Sequence, residues 1–162
     1  MARARRGSAV KSKLGFLLYG AKGTWKSSLT LQLAKFIRED GQPFRILYID
    51  AESGSVDDYL EMYANDGINL ENIYIIYTQS LGEVREYIRK SKDNEDFYEL
   101  DDDGNETDQI VLDADGKPFR ADAIVVDGAS VIFLATQQGL VEFSKKRATV
   151  RAKKNELIGD ER

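Results

Sequence analysis

Lys26 and Ser27 belong to the run Gly20-Ala21-Lys22-Gly23-Thr24-Trp25-Lys26-Ser27-Ser28, whose residue types suit a polyphosphate. The pattern G-x-x-x-x-G-K-[ST] cradles phosphate oxygens on successive backbone N–H groups, sends a lysine to the outer phosphates and offers a hydroxyl to magnesium. Gly20, Lys26 and Ser27 stand where that pattern requires them, and Trp25 takes the place of its second glycine. Two further sites bear carboxylates at the ends of apolar runs: Asp50 and Glu52 in I-D-A-E, and Asp127 in I-V-V-D. Carboxyl ends of parallel strands line the ligand crevice of open α/β sheets. Asp127 is therefore a candidate for holding magnesium with the Ser27 hydroxyl, because one carboxylate, a hydroxyl, phosphate oxygens and water suffice for that cation. Glu52 is a candidate for polarising a water that attacks a terminal phosphate; the alternative for such an acid is a turn or helix cap.

Composition narrows the chemistry. The 162 residues contain no cysteine and no histidine. Disulfides, thiolate zinc sites and cysteine nucleophiles are excluded, proton transfer must rest on carboxylates, and a metal must be held by oxygen. The absence of cysteine fits a reducing compartment, and the cytoplasm of a bacterium or phage-infected host is the expected location. No run of eighteen apolar residues spans a membrane, and the basic N-terminus lacks the apolar stretch of a secretory signal. The length predicts one domain.

The net charge of −5 is unevenly spread. Residues 1–13 form a basic arm carrying Arg3, Arg5, Arg6, Lys11 and Lys13, and 14–162 form the domain. An insertion at 93–120 is densely acidic, and the 140–162 segment turns basic through K-K-R-A-T-V-R-A-K-K. Each segment alone reads as a solvated arm, loop or helix face. The two basic segments together also suit a nucleic-acid backbone, since phosphate neutralisation needs clustered Lys and Arg.

The elements that must position the candidate residues alternate. The apolar run Leu14 to Tyr19 predicts a strand entering the loop, and Leu29, Leu33, Phe36 and Ile37 a helix leaving it. Arg45 to Asp50, Asn72 to Tyr77 and Ala123 to Asp127 predict buried strands. Val56 to Asn65 and Leu81 to Lys92 predict helices, and another begins at Ser130 with Gly139 as a break. Turn signals at Asp103-Gly104-Asn105 and Asp115-Gly116 predict a hairpin around Gln109 to Asp113. Such alternation implies an open, mainly parallel α/β sheet with helices on both faces.

The order Y-I-D-A-E, Tyr59 seven residues after the glutamate, N-L-E-N-I, T-Q-S-x-G-E and I-V-V-D resembles the ATPase core of RecA recombinases over residues 14–92 and 122–134. In size it is most similar to the RecA-core-only ATPases that phages use in recombination and annealing. The resemblance implies a P-loop NTPase fold, ATP and Mg²⁺ as ligands, and Mg-dependent ATP hydrolysis in DNA recombination, annealing or repair. It further implies single-stranded DNA and copies of the same chain as partners. Residue by residue, it implies phosphate contacts along Gly20, Ala21, Lys22, Gly23, Thr24, Trp25 and Lys26, with Lys26 on the β/γ-phosphates. Ser27 and Asp127 would serve magnesium, Ser28 the α-phosphate side, Glu52 catalysis, and Tyr59 the adenine.

Two departures leave alternatives open. An indole at position 25 either swings outward, where it can stack on a base or partner, or crowds the pocket and marks a degraded site without turnover. RecA-like cores continue into a further strand and DNA-binding loops, whereas this sequence stops at Arg162, as a minimal protein, a truncated one, or part of something longer. A small-molecule kinase would need an arginine-rich lid where this chain is acidic. The cluster Glu99, Asp101, Asp103 and Gly104 lacks the twelfth-position acid of a calcium loop, since Ile110 stands there.

Overall fold

The computed structural model describes residues 15–159 except Ser53 and Ser55, with side chains described up to residue 149. The basic arm at 1–13 and the side chains of Arg151, Lys153 and Lys154 lie outside the described residues. The run Ile46-Leu47-Tyr48-Ile49-Asp50 has no polar alternation, so it needs cover on both faces. It forms strand β1 (Ile46–Asp50), and every residue of it is buried. Strands β2 (Ile73–Tyr77) and β5 (Ala123–Asp127) pair with it in parallel, giving the order β2-β1-β5. The register sets Asp50 opposite both Tyr77 and Asp127, so the three carboxyl ends lie together.

Successive residues of β1 point to opposite faces and found two cores. Ile46 and Tyr48 join Leu31, Ala34, Val56 and Tyr63 on one face. Leu47 and Ile49 join Val84, Phe97, Phe119 and Ile132 on the other. Helices α1 (Lys26–Leu31) and α2 (Asp57–Asn65) thus cover the first face, and α3 (Leu81–Asp93) and α4 (Ala129–Gly159) the second. The α/β architecture with a parallel sheet and helices on both faces is as expected from the sequence, though the sheet has three strands among the described residues. Helix α3 starts where Ser80 accepts from the Glu83 N–H, and ends at Asn94 in the left-handed region. Among the described residues, no helix is long and apolar enough to cross a membrane.

Several expectations need correction. Among the described residues no strand precedes the loop at 20–25: residues 15–20 have no regular structure, and Phe16, Leu17 and Tyr19 are exposed. An apolar run becomes a strand only when its N–H and C=O groups find a neighbour, and none pairs with this one. The helix after the loop does not reach Ile37. It tightens into a 3₁₀ turn at Gln32–Lys35, after which Phe36 is extended and Ile37 bridges Pro43 across a turn at Gly41. Its buried side is Ser28, Leu31 and Ala34 instead of the Leu29 side. Gly139 does not interrupt α4, because no neighbour crowds it and a mid-helix glycine costs only about 1 kcal/mol.

The acidic insertion forms a hairpin, as expected, and is also anchored to the core by aromatic residues that its charge pattern did not announce. Strands β3 (Tyr98–Leu100) and β4 (Glu106–Ile110) form a hairpin turning at 101–105, with a second turn at 115–116 closed by a Leu112–Pro118 bridge. The hairpin therefore pairs N-terminal to the predicted Gln109 to Asp113 span, around the first turn signal. Phe97 and Phe119 are fully buried, packed on each other and on Tyr74 of β2. Burying each such ring is worth about 1.5–3 kcal/mol.

Arg45 ties the insertion to the sheet, donating to Asp122 through Nε at 3.0 Å and to the buried Asp113 through Nη1 at 3.2 Å. Burial alone would raise the Asp113 carboxyl. The Lys117 N–H, the Arg45 guanidinium and the Asp115 N–H outweigh it and hold the group below the usual carboxylate range. A depressed folded value contributes stability that is full above about pH 4 and is lost as pH falls through the lowered value. Arg45→Ala is expected to cost roughly 2–4 kcal/mol in urea unfolding at pH 7 and to reduce the loss of stability on acidification. An unchanged unfolding curve would mean the tie is unimportant.

Candidate functional site

Three segments meet at the carboxyl ends of β1 and β5. The first is the loop at 20–25, which feeds α1. Trp25 caps α1 in the left-handed conformation, at φ 61° and ψ 23°, which glycine adopts freely and other residues at a cost of about 1–3 kcal/mol. The backbone thus keeps the course a glycine would give it, and the indole is 63% exposed, turned out of the loop. Its ring lies 5.9 Å from that of Tyr59, tilted by 53°. Lys26 folds back over the loop, donating to the carbonyls of Gly20 at 3.1 Å and Ala21 at 2.9 Å and to Thr24 Oγ1 at 3.3 Å. Thr24 in turn donates to the Ala21 carbonyl at 2.8 Å. Lys22 and Gly23 are exposed on the same loop. A cleft of about 410 Å³ opens beside it, lined by Leu17, Tyr19, Gly20, Thr24, Lys26 and Leu29 among others.

The second segment is the end of β5. Asp127 Oδ2 accepts from the Ser27 hydroxyl and from Tyr48 Oη, the latter at 2.7 Å, while Oδ1 accepts from the Gly128 N–H at 2.9 Å. Ser27 and Asp127 are 100 residues apart in sequence. Burial above all, and the Asp127 carboxylate beside it, push the Tyr48 hydroxyl above the usual phenol range against the opposing pull of Thr30. Tyr48 therefore stays a donor and fixes one lone pair of Asp127.

The end of β1 is the third. Asp50 is fully buried, and its two oxygens accept from the Glu52 N–H at 2.8 Å and the Gly54 N–H at 3.0 Å. It builds the turn that presents Glu52, which is exposed. Gly128, at φ +74°, is where the two strand ends touch. A Cβ there would lie 2.9 Å from Glu52 Cγ and 3.2 Å from Ala51 Cβ. Glu52 therefore packs directly against the residue after Asp127.

The fold thus joins Ser27 to Asp127 and sets Glu52 against Gly128, the residue after Asp127, while Lys26, next to Ser27 in sequence, lays its ammonium on the loop carbonyls. Ser28 goes elsewhere: it is buried, its hydroxyl lies 2.6 Å from Tyr63 Oη, and it serves the core under α1 instead of the α-phosphate side. Tyr48 and Gly128 were not singled out by sequence reasoning. A tyrosine in an otherwise aliphatic buried strand, whose hydroxyl must find a partner, was the available signal for the first. The glycine directly after a strand-end aspartate was the signal for the second.

Among the described residues no three carboxylates cluster to hold a metal unaided. The donors that do converge, one carboxylate and one hydroxyl, are hard oxygens that fit magnesium completed by phosphate and water.

Gly128→Ala is expected to lower stability by roughly 1–3 kcal/mol, from the left-handed backbone and the crowding of Glu52. Urea unfolding measures it. A loss near zero would show that Glu52 does not sit against this glycine.

Compared with protein-family models, curated proteins and solved structures, the chain matches none. What the site does must be argued from its residues and their geometry.

Proposed function

We propose that the chain binds ATP with magnesium and hydrolyses it, on a RecA-like P-loop core that acts on DNA in recombination, annealing or repair. One observation carries the nucleotide reading: the loop serine and the strand-end aspartate, remote in sequence, share a hydrogen bond at the mouth of the loop. Nothing in the packing of a plain strand–helix turn calls for that contact, whereas magnesium coordination needs these two oxygens side by side.

The residues act by role. Lys26 exchanges the loop carbonyls for β/γ-phosphate oxygens, a charge-assisted contact. Gly20 through Trp25 supply backbone N–H groups to the phosphates. Ser27 and Asp127 hold magnesium, which would neutralise phosphate charge when bound. Tyr48 keeps the Asp127 carboxylate oriented. Glu52 accepts a proton from the attacking water and orients it towards the γ-phosphate. Single-stranded DNA is the proposed macromolecular partner, because Lys145, Lys146 and Arg147 are exposed on α4 beside an acid-free stretch of sequence. Association of several copies belongs to the same reading.

A specific observation favours a second reading, binding without turnover. The left-handed Trp25 and the irregular backbone at 15–20 hold the phosphate cradle less firmly than a glycine and a paired strand would.

Two variants separate the readings. Lys26→Ala is expected to weaken ATP binding by on the order of 1.5–3 kcal/mol, read by titration with a fluorescent ATP analogue. Equal binding by variant and parent would reduce the motif to a turn. Glu52→Gln keeps shape but removes the base, so ATP should still bind while hydrolysis falls roughly 10²–10⁴-fold. Hydrolysis at the parent rate would remove Glu52 from the chemistry, and a parent that binds but never hydrolyses, with or without single-stranded DNA, would establish the second reading.

A further inference from the structure

The run Thr78-Gln79-Ser80-Leu81-Gly82-Glu83 leaves β2 at the carboxyl end of the sheet. Three of its polar residues serve the entry into α3. Ser80 Oγ accepts from the Glu83 N–H at 3.3 Å, and the Thr78 hydroxyl donates to the Glu83 carboxylate while accepting from the Ser80 N–H at 2.9 Å. The Thr78 N–H donates to the Asp50 carbonyl at 3.1 Å, which ties this turn to the end of β1. Gln79 stands between these anchors, and its side chain serves a different element. Its Nε2 donates to the carbonyl of Ala51 at 3.1 Å. Ala51 is fully buried, so its carbonyl depends on a protein donor.

The Ala51 carbonyl and the Glu52 N–H are the two polar ends of one planar peptide unit. Gln79 holds the first end, and Asp50 Oδ1 holds the second at 2.8 Å. The N–H of Ala51, one unit earlier, is taken by the Asp127 carbonyl at 3.1 Å. The peptide that carries Glu52 is thus gripped by one side chain from the end of β1 and one from just beyond β2. With both ends held it cannot turn about its long axis, a motion that would swing the glutamate away. Removing the Gln79 amide frees one end and leaves the other in place. We propose that Gln79 is a positioning residue for Glu52, fixing the Ala51–Glu52 peptide so that the carboxylate stays aimed at the water that attacks the terminal phosphate. This rests on the reading of Glu52 as the base. In this role Gln79 acts on the chemical step through Glu52 alone, and nucleotide affinity does not depend on it.

Binding and hydrolysis of Mg·ATP by the full chain are compared for the parent, Gln79→Ala, Gln79→Glu, Glu52→Gln and the double variant Glu52→Gln with Gln79→Ala. Gln79 is exposed, so its replacement leaves both cores untouched. Gln79→Ala is expected to lower kcat by about 10- to 100-fold, the effect of misplacing a reacting group by roughly 1 Å, with KM and ATP affinity within about twofold of the parent. Gln79→Glu keeps the side-chain shape but sets a carboxylate against the Ala51 carbonyl, and it should lower kcat at least as far. On the Glu52→Gln background, Gln79→Ala should change the residual rate by less than about twofold, because the group it positions is already gone. An undiminished kcat in Gln79→Ala, or its full loss repeated on the Glu52→Gln background, would overturn the proposal and leave Glu52 as the base. A fall in ATP affinity that accounts for the fall in rate would make Gln79 a support of the binding loop and would also overturn it. A parent without turnover, or Glu52→Gln hydrolysing at the parent rate, would overturn the catalytic reading and this proposal together.

Discussion

The parallel pairing of β1 on both edges is the constraint on which the rest of the molecule depends. Because β2 and β5 run alongside it in register, Asp50 and Asp127 finish side by side, two carboxylates at one end of a buried sheet. Like charges so placed repel unless each finds donors of its own. The chain separates their duties. Asp50 turns to the N–H groups of Glu52 and Gly54 and shapes the backbone beyond β1, while Asp127 collects Ser27, Tyr48 and the Gly128 N–H. The first arrangement presents Glu52, and the second anchors the loop at 20–25, through Ser27, to the sheet. Both depend on Gly128, where the strand ends approach too closely for a side chain.

The same pairing explains why an acidic insertion can sit between β2 and β5 without loosening the site. Phe97 and Phe119 bury its two ends against Tyr74, and Arg45 ties Asp113 and Asp122 to the start of β1. The acidic side chains of the 101–106 turn stay exposed on the hairpin. Exposed basic residues lie on α4, so the two signs occupy different surfaces.

Much of this was legible in the residues. Strand β5 falls on the predicted span, and β1, β2, α2 and α3 fall within a residue of theirs, because continuous aliphatic runs and helices with one apolar face have few competing solutions. Lys26, Ser27 and Asp127 could be grouped because their spacing belongs to a known chemistry. Other features depended on partners that a sequence does not display. The 14–19 run has a strand's composition, but its described part, 15–19, has no neighbour to pair with among the described residues. Ser28 looked like a ligand residue until α1 turned it towards Tyr63. Tyr48 reads as core until the register of β1 with β5 places its hydroxyl at Asp127. The length of α4 was misjudged because a glycine in a solvated helix costs little.

The account stands most directly on the claim that Ser27 and Asp127 meet in order to share magnesium with a bound triphosphate. Equilibrium dialysis of ATP against the full chain, in Mg²⁺ and in EDTA, tests it for the parent and for Asp127→Asn. The parent is predicted to bind ATP more tightly in Mg²⁺ by about tenfold or more, and Asp127→Asn to lose most of that difference. Equal affinity of the parent in Mg²⁺ and EDTA, or an undiminished magnesium effect in Asp127→Asn, would contradict it.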